Sequence, residues 1–165
     1  MENEKFVITD NLLATQFQRF LNWFVDLIFI YILILSLGTT IILIALAIDD
    51  FALSDWVKNM SKTEIGFYSL IIAFLYYCLT EMYFSRTIAK LITHTTVVNS
   101  DGTKPSKQSF FIRTCCRFIP FEMFSFFGAV PRGWHDIFSK TYVVKKKKLK
   151  KMQKEYESFS NVIKA

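Results

Sequence analysis

At 165 residues, more than half of them apolar and 18 of them phenylalanine, the chain is too hydrophobic for an ordinary soluble domain and too short for two membrane modules. Its formal charge of +6 is unevenly spread, since every lysine and arginine except Lys5, Arg19, Lys58 and Lys62 lies after Phe84. Three cysteines, Cys78 in an apolar run and Cys115 beside Cys116, do not suit an ordinary disulfide framework and read as reduced thiols.

In chain order, residues 1–14 form a polar lead carrying Glu2, Glu4 and Asp10, and no small-residue cleavage pattern follows the next apolar stretch. The first helix is therefore expected to be retained, not removed as a signal peptide. Arg19, Asn22 and Asp26 lead into residues 27–48, an apolar run broken only by Tyr31, Ser36, Gly38, Thr39 and Thr40. At ~1.5 Å per residue that run is ~33 Å long, which predicts a crossing at residues 21–48. Seven residues return a helix to nearly the same angle, so Arg19 and Asp26 share a face with Asn22 close by.

The connector at residues 49–65 carries Asp49, Asp50, Asp55 and Glu64 against Lys58 and Lys62, whereas the later chain is rich in lysine. The positive-inside rule then puts both termini in the cytoplasm and the connector outside. Residues 65–84 are long enough to return across the bilayer, with Tyr76, Tyr77 and Tyr83 suited to the inner interfacial belt. A short helix is expected within residues 87–94, then a β-branched strand at residues 95–98 ending in the turn Asn99-Ser100-Asp101-Gly102. The same Thr-x-Val-Val pattern returns at residues 141–144, which predicts a two-stranded pairing on the cytoplasmic side.

A third apolar region, residues 110–130, is interrupted by Arg113, Arg117, Pro120 and Glu122, and basic segments on both sides of it require an even number of crossings. Residues 118–130 are too few for a spanning helix, so an interfacial or re-entrant helix broken near Pro120 is expected, with Trp134 anchoring its exit. Residues 145–165 then bring Lys145, Lys146, Lys147, Lys148, Lys150, Lys151 and Lys154 close to the membrane, where anionic headgroups attract each near-surface lysine by about 1 kcal/mol. No aromatic platform is interleaved with these lysines, so nucleic acid is not an expected partner. The fold class read from these patterns is an all-α integral membrane protein built on a two-helix hairpin, with the broken helix and the small β pairing beside it.

Several motifs resemble the RDD family of membrane proteins, named for one arginine and two aspartates. Arg19-x-x-Asn22-x-x-x-Asp26 opens the first helix. Thr87-Ile88-Ala89-Lys90 is similar to the family's T-x-G-K, and Val97-Val98-x-x-Asp101-Gly102 to its V-V-x-x-D-G. Arg113-Thr114-x-x-Arg117-Phe118-x-Pro120 follows, then Gly133-Trp134-His135-Asp136 leading into Thr141-Tyr142-Val143-Val144. In that order they cover residues 15–144, which marks out the membrane domain. The resemblance places the named triad on Arg19, Asp26 and either Asp136 or Asp101, and implies a role for which transport, including cation/proton exchange in some members, has been suggested. Asn22 and Ala89 depart from the family pattern without removing a charge.

Ionisable groups entering a membrane cost about 2.5–3.5 kcal/mol each at the helix centre, so they pair or line a wet cavity. The expected partners are Glu81 for Arg19, and Arg113, Arg117 or Lys90 for Asp26. Such pairs describe either an ion-pair network that anchors an assembly or scaffold module, or a cation or proton site at Asp26. Two spanning helices cannot enclose a pathway alone, so the transport reading also requires a homo-oligomer. The small residues from Ser36 to Thr40 permit close approach of another membrane protein or of the second helix.

His94, His135, Cys115, Cys116 and Asp136 lack the paired spacing of structural zinc, and no phosphate loop, nucleophile elbow or metalloprotease motif is present. The sequence therefore assigns no metal, cofactor or catalytic residue. The expected location is the bacterial inner membrane.

Overall fold

The computed structural model describes residues 6–128 and 131–164; the outermost parts of the polar lead and basic tail, and positions 129–130 of the third apolar region, lie outside them. The described chain is mostly helical, and two of its helices are long and apolar enough to cross a membrane. The first, α1 (Gln16–Ala47), starts five residues before the predicted crossing because Thr15 caps it. Its side-chain oxygen accepts from the Gln18 amide at 3.2 Å while Gln18 Oε1 accepts from the Thr15 amide at 3.1 Å. No proline interrupts the 32 residues that follow, so α1 extends about 48 Å.

The connector read as acidic also folds. Asp50 accepts from the Leu53 amide at 3.1 Å and starts α2 (Phe51–Lys58), which turns back on α1 where Ala45 and Ser54 are buried. A second reciprocal cap, Ser61 with Glu64, starts α3 (Lys62–Phe84). This helix runs back along α1 and ends at Ser85, whose φ of 57° is left-handed.

Beyond α3 the chain builds a compact polar cap. Thr87 starts α4 (Ile88–Ile92), and β1 (Thr95–Val98) pairs antiparallel with β2 (Tyr142–Lys145), Val97 facing Val143. Alternation along the strands sends Val97 and Val143 toward Phe110 of α5 (Lys107–Arg117), and Val98 and Val144 toward Leu12, Leu13 and Leu149. The predicted pairing is thus present, with its second strand shifted by one residue to end at Lys145. The polar lead joins it: the Ala14 amide donates to the Val143 carbonyl at 2.9 Å, and Leu13 bridges Val144.

The third apolar region divides as its charges suggest. Helix α5 stops at Arg117, Phe121 takes a left-handed φ of 66°, and a 3-10 segment follows at Glu122–Phe127. After it come α6 (Trp134–Phe138) and, directly behind β2, α7 (Lys146–Lys164). Helix α7 turns Leu149 and Met152 onto the sheet and leaves Lys147, Lys148, Lys150, Lys151 and Lys154 exposed. Lys145 itself belongs to the strand, and Lys146 is half-buried where the helix starts.

Candidate functional site

Where α1 enters the cap, its charged face meets α3, α4, α5 and α6. The spacing of Arg19, Asn22 and Asp26 puts all three on that face, and all three are buried. Asn22 donates to Thr95 at 3.2 Å and accepts from Thr93, which ties α1 to the start of the sheet. At the deepest of the three levels, Asp26 accepts from the Tyr76 hydroxyl at 2.7 Å and the Ala89 amide at 3.2 Å. The Tyr76 oxygen in turn accepts from the Ile88 amide at 3.2 Å, so α4 is held against both long helices.

The ion pairs differ from those expected. Arg19 pairs with Asp136, not Glu81, and among the described residues no cation lies within ion-pair distance of Asp26. The physical reason is the level at which each group sits. Asp26 lies about 10 Å deeper along α1 than Arg19, opposite Tyr76, which precedes Glu81 by more than a turn of α3. Glu81 instead faces α4 and α5: Lys90 donates to it, Arg117 Nη2 donates at 2.8 Å, and Arg113 Nε makes an ion contact at 3.0 Å.

Arg113 is the bridge between the two halves of the network. Besides Glu81 it reaches Asp136 through Nη1, and the same nitrogen donates to Thr141 at 2.8 Å. Asp136 accepts from Arg19, from Arg113 and from the Gly133 amide at 3.2 Å. Arg117 packs its guanidinium 4.4 Å from the Tyr77 ring centre, which shields its apolar side. Tyr76 and Tyr77 are a further correction, since both are buried where an interfacial belt was expected; Tyr83 is 71% exposed.

Two residues not selected from the sequence complete the cluster. His135 Nδ1 contacts Glu122, while its Nε2 lies 3.5 Å from Arg19 Nη2. Burial draws His135 down to about 4, so at neutral pH it is uncharged, donating from Nδ1 to Glu122 and offering Nε2 to Arg19. Burial opposes ionisation of Glu122, but the hydrogen bond from His135, the charge His135 gains in acid, and Arg117 bring it down to about 2. Burial likewise opposes Asp136, yet Arg113 and Arg19 hold it well below the usual carboxylate range. Lys90 is drawn downward by burial against the pull of Glu81, and Arg117 is held above its ordinary value chiefly by Glu81.

The cluster gathers four basic side chains, Arg19, Lys90, Arg113 and Arg117, with four acidic ones, Asp26, Glu81, Glu122 and Asp136. A cavity of about 30 Å³ remains between them, lined by Asn22, Asp26, Lys90 and Arg117 among others. That is room for a water or two, since one needs only about 10–15 Å³ of such space. Asp101 stands apart: it is exposed and accepts from the Thr103 amide at 3.0 Å within its own turn. The positions weighed for zinc do not converge, since Cys115 is exposed and His135 is turned to Glu122.

A small, mostly helical protein in which two helices long and apolar enough to cross a membrane meet a buried cluster of charges has the architecture of a membrane-type protein. Residues 13–140 match the RDD family, and the chain belongs to that family. No curated protein and no solved structure matches the chain. Of the residues read as its triad, Arg19 and Asp136 are in contact, whereas Asp26 occupies a separate, uncharged set of donors.

Proposed function

We propose that the chain is a membrane assembly module without catalytic activity, in which α1 and α3 span the bacterial inner membrane as a hairpin. Both chain ends then lie in the cytoplasm, and the charge cluster anchors the hairpin to the cap. Residues 118–127 enter the interface from the cytoplasmic side without crossing. The observation that carries this reading is the buried ion pairing of the cluster: Arg19, Lys90, Arg113 and Arg117 share the two carboxylates of Glu81 and Asp136 around a cavity of about 30 Å³. A buried network of this kind fixes how elements pack. Broad apolar faces of both long helices, with Leu35 and Leu70 more than half exposed, leave surface for lipid, other membrane proteins or a second copy.

Flux of sodium and protons through purified protein in liposomes, measured beside single-cysteine labelling, tests the reading. No flux above empty liposomes is expected, with probes at Lys107 and Lys140 reached from one side and a probe at Asp55 from the other. Sodium-dependent proton flux that disappears in a stably folded Asp26→Asn protein would replace this proposal with an oligomeric cation/proton exchanger. Labelling of Lys107 and Lys140 from opposite sides would overturn the topology.

A further inference from the structure

The Ser85 end of α3 gathers basic side chains that the charge cluster does not use. Backbone bonds put them together: the Val97 amide donates to the Ser85 carbonyl at 3.1 Å, and the Lys146 amide donates to the His94 carbonyl at 3.0 Å. The start of α7 therefore lies beside the residue that follows Ser85, which is Arg86. Lys150 is one helical turn beyond Lys146 and shares its face. Lys104 adds a fourth cation at the border, donating to the Tyr83 carbonyl at 3.2 Å.

Among the described residues, no carboxylate lies within ion-pair distance of Arg86, Lys146 or Lys150. The first turn of α7 contains no acid either, so lysines crowd the positive end of a 19-residue helix, where anions are favoured. Repulsion from Arg86, with burial and Lys150 contributing, draws Lys146 below the ordinary lysine value. Immediately before this cluster, Tyr83 and Phe84 are 71% and 69% exposed, as aromatics at the headgroup level of a spanning helix would be.

We propose that Arg86, Lys146 and Lys150 form a site for the phosphate of an anionic phospholipid headgroup at the Ser85 end of α3. The site rests on the reading that α3 spans the membrane, and it is more specific than a diffuse attraction of the lysine-rich tail. Arg86 supplies a planar fork to the phosphate, while the two lysines add point charges from α7. Lipid bound there would clamp α7 and the sheet to the membrane end of α3.

The test uses the full chain in neutral detergent, with its thermal midpoint followed as phosphatidylglycerol, phosphatidylcholine or inorganic phosphate is added. The wild type is expected to respond to phosphatidylglycerol and much less to the other two. A triple variant, Arg86→Gln with Lys146→Gln and Lys150→Gln, is expected to need at least about tenfold more phosphatidylglycerol for the same rise. The control triple, Lys147→Gln with Lys148→Gln and Lys151→Gln, removes the same charge and is expected to shift the response less than about twofold. Arg86→Gln alone, with an unchanged lipid-free midpoint, is expected to weaken the response by about threefold or more.

Equal losses in the two triples would overturn the site in favour of tail-wide attraction, and an equal response to inorganic phosphate would overturn the lipid as its ligand. Extraction of wild-type protein from membranes by alkaline carbonate would overturn the spanning reading and the headgroup assignment together. Retention in the membrane with unaltered phosphatidylglycerol dependence in the site triple would overturn the site alone.

Discussion

Along α1, the stretch from Leu27 to the C-terminal end and the turns before it belong to one continuous helix yet bury opposite kinds of side chain. In the apolar stretch, Leu35 and Leu43 are more than half exposed and burial is confined to Ile30 and Ala45; in the first turns, Arg19, Asn22 and Asp26 are buried. A water-soluble fold would invert this pattern, because leaving apolar area in water and desolvating charge both cost free energy. The pattern makes sense if lipid is the solvent of the apolar stretch, where outward leucines cost nothing and charges need partners. Even the two threonine hydroxyls there are satisfied within the helix, Thr39 donating to the Leu35 carbonyl at 2.6 Å and Thr40 to that of Ser36 at 2.7 Å.

The largest effect is expected at Glu81. Glu81→Gln leaves Lys90, Arg113 and Arg117 without their shared carboxylate, and a loss of about 3–5 kcal/mol is expected in thermal or denaturant unfolding in lipid nanodiscs. A loss under about 1 kcal/mol would mean that the cap does not depend on its ion pairs.

Acidification comes next. His135 sits at about 4 in the folded chain against 6.5 when unfolded, so between those values the unfolded state binds the extra proton. Stability is therefore expected to be fully present above about 6.5 and to fall as pH drops toward 4, by up to about 3 kcal/mol. Glu122, at about 2 against 4.5, extends the same loss to lower pH, because its stabilisation exists above 4.5 and vanishes as pH falls through its folded value. His135→Gln should flatten the upper part of this profile, and an unchanged slope in that variant would place the titrating group elsewhere.

Asp26→Asn is expected to cost less, about 1–2 kcal/mol, because its partners are the neutral Tyr76 hydroxyl and Ala89 amide and an amide oxygen still accepts from both. Unfolding measured beside Glu81→Gln in the same lipid decides the ranking. At the far end of the scale, Leu43→Ala, on the outward face of α1, should change the stability of the isolated chain by no more than about 0.5 kcal/mol. A large loss there would show that the apolar stretch is a packed core and not a lipid-facing surface.

Much of this arrangement was legible because it follows from local rules. Two long apolar runs gave two long helices, Thr95 to Val98 and its repeat at Tyr142 gave paired strands, and the charges around Pro120 marked a break. The seven-residue spacing of Arg19 and Asp26 correctly put both on one buried face. Partner choice was not legible, because it depends on the axial level at which α3, α5 and α6 meet α1, which no single segment encodes. Arg19 therefore meets Asp136, from a segment far along the chain, and Glu81 takes three cations from α4 and α5. Glu122 did carry a signal as a carboxylate in an apolar stretch, but its partner His135 carried none beyond adjacency to Asp136. Helix α2 was hidden by reading Asp50 as part of an acidic connector instead of as a cap.

If contacts between α1 and the cap hold through their buried ion pairs, Arg19 and Asp136 are energetically coupled, which a double-mutant cycle measures. Arg19→Met, Asp136→Leu and the double variant would be unfolded in identical nanodiscs beside the wild type. A coupling of about 2 kcal/mol, with the double variant more stable than the sum of the single losses predicts, is the expected result. Single losses that add within about 0.5 kcal/mol would contradict it and leave the cluster without an anchoring role.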